Sequence, residues 1–539
     1  MHGPAKVERT MTPRNSGLRG RRNLSSRAVG GLALTLAVAF AVALPLMRPV
    51  LPVDETRYLS VAWEMHRDGS YIVPHLNGEI YAHKPPLLFW LINLVWSLTG
   101  VSEVAARLVA PAFGVVSVAL TWRLGDRLFP ERPELGAMAA LILASTGLFA
   151  LYGSLTMFDT MLTTATLLGV LALLSMDTGG GRLATLGLAA ALAFGVLAKG
   201  PVILVHLMPL ALTRPLWTMA EDPGPPASWY ARVAAAIGAA AVILAVWLVP
   251  ALWLGGPEYR AEVLWRQSAG RMVNAFDHAR PVWFFVAVLP IVLWPWAWRP
   301  SALRGLASAT LRSDRRARFL AIWGLSTLVL FSLISGKQVH YLLPVLPAAA
   351  LALAAAPPPR HAWTAVVACL AVIAPVLAWA ALLATGRARI DGVAVESLGL
   401  DTVALAAAIA GAGLLAIAFA GRHLPALAWV LVAPVALIVA HVGLRPALFE
   451  HFDTGRFAAE LGRAPAAGVA IHGYPYQGEF GFTARLTSAV EVLSTDEVDP
   501  WVASHPGGLI LTTGERSFPV PAIGEAWLAG KRLLLYRLP

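Results

Sequence analysis

Asp54, Glu55, Arg57, Tyr58, His83 and Lys84 crowd one stretch, DETRYLSVAWEMHRDGSYIVPHLNGEIYAHKPP, that follows directly on a long apolar segment. If its start is helical, Asp54, Arg57 and Tyr58 share a face, because residues three and four apart are neighbours. A carboxylate held beside a cation stays ionised near neutrality and can act as a general base or a metal ligand. Position alone also fits a plainer role, in which two adjacent acids solvate and orient the end of a membrane helix. In Tyr81-Ala82-His83-Lys84-Pro85-Pro86 the prolines push Lys84 out of helical geometry, and a helix can start at Leu87. An ammonium at such a junction suits a phosphate head group; the structural alternative is snorkelling to lipid phosphates.

The elements that must hold these groups are apolar. The chain has 539 residues, 57% hydrophobic and 14% charged, against about 25% charged in soluble proteins. Apolar runs long enough to cross roughly 30 Å of hydrocarbon recur along it, so the expected fold is a polytopic α-helical membrane protein. The net charge of +11 lies largely in loops between spans, where membrane orientation explains it without nucleic acid. The lone cysteine, Cys369, sits in an apolar run and can form no internal disulfide.

A basic N-terminus, residues 1–27, precedes the first apolar run and is expected to be a retained, cytoplasmic anchor. Counting outward, residues 54–100 form a first outer loop. Spans follow at about Ala105–Leu124, Leu135–Leu151 and Thr160–Ser175, then a pair meeting at Lys199-Gly200-Pro201, Val233–Leu254 and Pro281–Trp298, and one ending at Ser335. The basic loop Arg299–Arg318 falls on the inner side by parity, as the positive-inside rule requires. Further spans to Gly443 give about thirteen of the required length in a membrane domain of residues 28–443. From Leu444 the texture changes: Asp453 reads as the N-cap of a short helix, Gly455–Leu461. The segments GVAIHGY, SAVEVLS, GGLILTT and KRLLLYRL read as strands, so residues 444–539 are expected to form a small α/β domain outside the membrane.

Other outer turns add ionisable groups. Asp159 stands at the mouth of a span, and Lys199, Arg260, Arg266, Arg271, His278 and Arg280 put basic charge on the side where it is normally scarce. Lys337, His340 and Tyr341 fall in one further turn. Together they suggest recruitment of something anionic. His83 and His278 are candidate metal ligands because acids lie in the same or facing loops, although no metal-ligand spacing is present. No P-loop, GxGxxG, HExxH or CxxC motif occurs, which leaves nucleotide binding and zinc-peptidase chemistry without support.

The pattern DETRY, EM, G-Y-I-V-P-HLNG-IY and KPPL-FW, with looser echoes in LAKGP, RQSAGRM…DHARPVWFF and K-HYLLP-LP, resembles the lipid A aminoarabinose transferases. More broadly it resembles the C-type integral-membrane glycosyltransferases that use polyprenyl-phosphate sugars, to which the protein O-mannosyltransferases are related. The resemblance implies an inverting enzyme that moves a sugar from undecaprenyl phosphate to a lipid, glycan or protein acceptor at the outer face of the bacterial inner membrane. Transfer of 4-amino-4-deoxy-L-arabinose to lipid A is one such reaction, and protein O-mannosyl transfer is another. It implies Asp54 and Asp159 as catalytic acids, and Lys84 as the donor-phosphate lysine. Glu55, Arg57, Tyr58, Arg271, Lys337, His340 and Tyr341 would surround the substrate. The family commonly carries Glu where this chain has His83, so a zinc site would here pair His83 with His278. A transporter or flippase of lipid-linked sugars is the alternative class; it would place ionisable groups at mid-membrane, whereas these cluster at span ends.

Overall fold

The structure is a computed structural model that describes residues 25–264, 279–299, 314–356 and most of 425–539, with short pieces between 366 and 419. Among the described residues, seven helical stretches are long and apolar enough to cross a membrane. The protein is a polytopic α-helical membrane protein. The last of the expected spans fall mainly in residues 357–424, most of which lie outside the described residues.

Helix α1 (Ser26–Leu46) starts where the Ser25 hydroxyl accepts the Ala28 amide. It ends earlier than the apolar run suggests, and α2 (Asp54–Asp68) begins a separate, amphipathic helix. A hairpin of β1 (His75–Leu76) and β2 (Glu79–Ile80) leads to α3 (Leu87–Thr99), the short apolar helix expected after the prolines. Helix α4 (Glu103–Leu128) runs back through the layer. The span expected at Leu135–Leu151 is two helices, α5 (Pro133–Ala144) and α6 (Gly147–Tyr152). The break follows from Ser145 and Thr146, whose hydroxyls bond back to the Leu141 and Ile142 carbonyls, while the Gly147 amide donates to Trp294 at 2.9 Å. Helices α7 (Asp159–Asp177) and α8 (Gly181–Lys199) form an antiparallel pair, and the chain turns at Gly200–Val202 into α9 (Ile203–Leu212).

This winding sorts the charged groups to two ends. At one end Arg214 meets Asp177, Arg316 meets Glu131 and Ser26 bonds to Pro133. At the other, Lys199 meets Asp159 and Trp247, near the end of the helix Pro226–Leu254, donates to Ile72 in the first outer loop. The alternation matches the expected parity of the described spans.

Helices α4 and α5 cross on small residues: a methyl group added at Gly125 would lie 2.3 Å from Gly136 Cα. Membrane helices gain their packing from such close approach, since lipid tails are as apolar as the side chains. Gly125→Ala is therefore expected to force the helices apart and cost about 1–3 kcal/mol, the usual penalty of overpacking. A thermal midpoint in detergent equal to the parent's would contradict this crossing.

Beyond the helix Pro425–Phe452, the Asp453 carboxylate accepts the Gly455 amide at 2.8 Å and starts the expected short helical segment. A five-stranded sheet follows, in spatial order Val490–Leu493, Val469–His472, Leu509–Thr512, Lys531–Arg537 and Gly524–Leu528. The first three are parallel and the last two join antiparallel. Gly524–Leu528 is the strand the sequence did not announce; it is an edge, and only Ala526 and Leu528 of it are buried.

Candidate functional site

Three acids with different surroundings lie at the end of the bundle that carries the first outer loop. Glu55, expected beside the substrate, is 2% exposed and paired with Arg48. Its carboxylate also accepts the Leu51 amide at 3.1 Å and the Thr156 amide at 2.8 Å. Burial alone would push this carboxyl up; the Arg48 and Arg107 charges and the bonds from Arg48 and the Thr156 amide bring it below its ordinary value. That corrects the sequence expectation: successive helix residues point about 100° apart, so Glu55 faces inward while Asp54 faces out. Asp54 is the open acid, with a side chain 47% exposed. Tyr58 donates to its Oδ1 at 2.9 Å and Arg57 Nη2 lies 3.5 Å from the same oxygen, so the three share a face. Tyr58 is itself buried, and burial with the nearby Asp54 charge raises its phenol, keeping it a donor.

Asp159 opens α7 and is 1% exposed. Lys199 Nζ lies 2.5 Å from its Oδ1, and His340 Nε2 lies 4.0 Å from its Oδ2. Lys199 also sits 4.9 Å from the Tyr341 ring centre, and Tyr152 lies 5.1 Å from the His340 ring. Lys84 Nζ is 5.8 Å from the Phe158 ring, which packs edge-on against Tyr58 at 4.9 Å. Asp54 and Lys84 therefore flank one aromatic cluster, and both act electrostatically on His340. The sequence brings together Asp54, Arg57, Tyr58, Lys84, Asp159, His340 and Tyr341 at one end of the bundle. Lys199 joins them; its signal was LAKGP, where a glycine and proline end α8 with the lysine on its last turn.

One other expectation changes. Lys337 is 3% exposed and donates to the Arg280 carbonyl at 2.9 Å and the Ile334 carbonyl at 2.5 Å. Its ammonium is committed to backbone oxygens, which clamp residues 279–280 to 334–337, and it is not presented to a ligand. His83 is exposed, with its ring 5.3 Å from that of Tyr81. Arg271 and His278 lie outside the described residues. Among the described residues no three His, Cys, Asp or Glu side chains come together as a metal site; the expected pairing of His83 with His278 lies partly outside them.

The arrangement sets Arg57, Lys84 and Lys199 against Asp54 and Asp159 at the rim of an apolar bundle. It can hold a phosphate, stabilise charge leaving on that phosphate, and offer one exposed carboxylate to a nucleophile.

The fold is that of the C-type glycosyltransferases. It superposes on ArnT from Cupriavidus metallidurans, solved bound to undecaprenyl phosphate, with a TM-score of 0.69 and 18% identity, covering 94% of this chain and 97% of that one. A family model described as dolichyl-phosphate-mannose-protein mannosyltransferase matches residues 83–253. More particularly, the chain is similar to the undecaprenyl phosphate-α-4-amino-4-deoxy-L-arabinose arabinosyl transferase 1 of Pseudomonas fluorescens Pf0-1: 31% identity over 335 residues, 59% of this chain and 56% of the relative. The corresponding transferase of Edwardsiella ictaluri is 31% identical over 333 residues, 58% of this chain and 56% of the relative. The chain thus spans about half the length of the curated relatives it matches. The resemblance drawn from the first outer loop, to aminoarabinose-transferase-like glycosyltransferases, is borne out.

Proposed function

We propose that this protein is an inverting glycosyltransferase that takes a sugar from undecaprenyl phosphate at the outer face of the bacterial inner membrane. The donor is 4-amino-4-deoxy-L-arabinosyl undecaprenyl phosphate and the acceptor is lipid A. The observation that carries this is the convergence of Asp54, Lys84 and the Asp159–Lys199 pair on one aromatic-walled rim. In the proposed reaction the acceptor oxygen attacks the anomeric carbon as the bond from that carbon to the phosphate oxygen breaks. The electron pair leaves with undecaprenyl phosphate, whose charge Lys84 neutralises, helped by the Lys199 charge and the Tyr341 hydroxyl. Asp54 takes the proton of an acceptor hydroxyl; an acceptor phosphate is already a nucleophile, and Asp54 would then orient it. Asp159, bonded to Lys199, fixes that lysine and keeps its charge at the rim. Single displacement inverts the anomeric centre.

The N-terminus would lie in the cytoplasm and the C-terminal sheet outside. A protein acceptor is the second reading, favoured by the family match over residues 83–253.

The test is transfer from labelled donor by the purified, reconstituted protein, with lipid A and a Ser/Thr peptide as separate acceptors. Lys84→Ala is expected to raise the donor KM about 10- to 100-fold, the cost of losing a bond to a charged group, while leaving the thermal midpoint near the parent's. A donor KM unaffected by Lys84→Ala would remove this lysine from the phosphate, and a product of unchanged anomeric configuration would exclude single displacement.

A further inference from the structure

The C-terminal domain sends a loop, residues 473–486, along one stripe of α2. Ser60, Trp63, Glu64 and Arg67 are spaced i, i+3, i+4 and i+7, so they line a single face. Ser60 donates to the Gly478 carbonyl at 2.6 Å and accepts the Phe482 amide at 2.9 Å. Trp63 Nε1 and Arg67 Nη1 both donate to the Leu486 carbonyl at 2.9 Å, and Phe482 stacks on Trp96 of α3 with ring centres 5.3 Å apart. Glu64 takes a different partner. Buried at 6% exposure, its carboxylate accepts the Asn77 amide at 2.6 Å and the Gly78 amide at 3.0 Å.

Asn77 and Gly78 are the two-residue turn between β1 and β2, with φ +57° and +79°. Asparagine–glycine is the pair such a turn favours. The Asn77 side chain leaves the hairpin altogether. Its Nδ2 donates to the Val490 carbonyl at 2.9 Å and its Oδ1 accepts the Val490 amide at 2.7 Å. Val490 begins Val490–Leu493, an edge strand of the sheet. The N–H and C=O of one strand residue point to the same side, so this pair faces away from the neighbouring strand, and the carboxamide meets it as a further strand would. The hairpin in turn leads to Lys84. The Tyr81 amide donates to the Pro74 carbonyl at 2.8 Å, one step beyond the β1–β2 pairs, and the buried Tyr81 ring packs edge-on against Phe89. Lys84 follows three residues later.

We propose that Asn77 is a positioning residue: by pairing the hairpin turn with the sheet edge it makes α2, the hairpin and the sheet one body, and so sets Lys84 relative to Asp54. The consequence for donor binding rests on the transferase function proposed above; the bridge to the sheet does not. The C-terminal sheet then acts as the outer brace of the first loop.

The test uses the full-length protein. Asn77→Gly keeps a residue at ease with positive φ and both bonds to Glu64, and deletes only the two side-chain arms. Amide hydrogen exchange in peptides covering residues 75–84 is expected to quicken about tenfold, as local opening becomes easier. In the transfer assay the donor KM should rise about fivefold, the worth of roughly one hydrogen bond. The thermal midpoint should stay near the parent's and kcat within about threefold, whereas a purely structural loss lowers kcat with the folded fraction and leaves KM alone. Asn77→Asp, which keeps the bond from the Val490 amide and loses the one to its carbonyl, should fall between the parent and Asn77→Gly. In the Lys84→Ala background Asn77→Gly should move the donor KM less than about twofold, because the lysine it sets is gone. Exchange in residues 75–84 that matches the parent's overturns the proposal, as does a KM effect equally large with and without Lys84. Faster exchange in a protein that transfers no sugar would uphold the bridge and remove the transferase function instead.

Discussion

Asp54→Asn is expected to lower kcat for transfer to a hydroxyl acceptor by about 10²–10⁴-fold, the range lost when a general base is removed. The protein should stay folded. Asparagine keeps an oxygen to accept the Tyr58 hydroxyl, and the side chain it replaces is 47% exposed. Donor KM should change little, because in the proposed reaction Lys84 and not Asp54 meets the phosphate. Transfer assays with a thermal-unfolding control separate these outcomes. A kcat within threefold of the parent would show that the nucleophile arrives already anionic, as an acceptor phosphate does.

The reason for choosing this acid lies in how the three carboxylates at this end are occupied. Glu55 is enclosed by Arg48 and two backbone amides. Asp159 is 1% exposed and bonded to Lys199. Both contacts of Asp54 fall on a single oxygen, Oδ1. A base must be reached by the group it deprotonates, and this geometry leaves Asp54 in reach.

Much of the site was legible because its members sit where local rules are strong. The i, i+3 and i, i+4 spacing put Asp54, Arg57 and Tyr58 on one face, and the structure gives 3.5 Å and 2.9 Å between them. The double proline before Leu87 marked the start of α3 and left Lys84 in the lead-in. Charge parity between loops likewise anticipated which ends of the spans meet. What sequence could not display is burial. Nothing in the string distinguishes Asp54 from Glu55 until Arg48 and the turn at Thr156 close around the second. Lys337 looked like its outward-facing neighbours because its partners are carbonyls, which every residue carries. The docking of residues 473–486 on α2 pairs Ser60 with residues more than four hundred positions away, and no periodicity reports contacts at that range.

Glu55 should therefore behave in the opposite way to the residue beside it. Glu55→Leu removes one half of a buried pair and leaves the Arg48 guanidinium, 3% exposed, without its countercharge. Breaking such a pair costs about 3–5 kcal/mol, whereas replacing both partners with apolar side chains is often close to neutral. Glu55→Leu alone should lower the thermal midpoint well below the parent's, and Arg48→Met added to it should recover much of the loss. The pH dependence has a definite sign. The folded carboxyl lies below its ordinary value of 4.5, so the pair contributes fully above that pH and is lost as pH falls through the folded value. Glu55→Gln should accordingly flatten the acid limb of the stability curve and lower its plateau at neutral pH. Thermal unfolding of the parent and this variant between pH 3 and pH 8 measures both; parallel curves would mean that the carboxyl titrates alike in the folded and unfolded chain. Activity should fall in step with the folded fraction in the Glu55 variants, whereas in Asp54→Asn it falls with the fold intact, and that difference assigns one neighbour to the architecture and the other to the reaction.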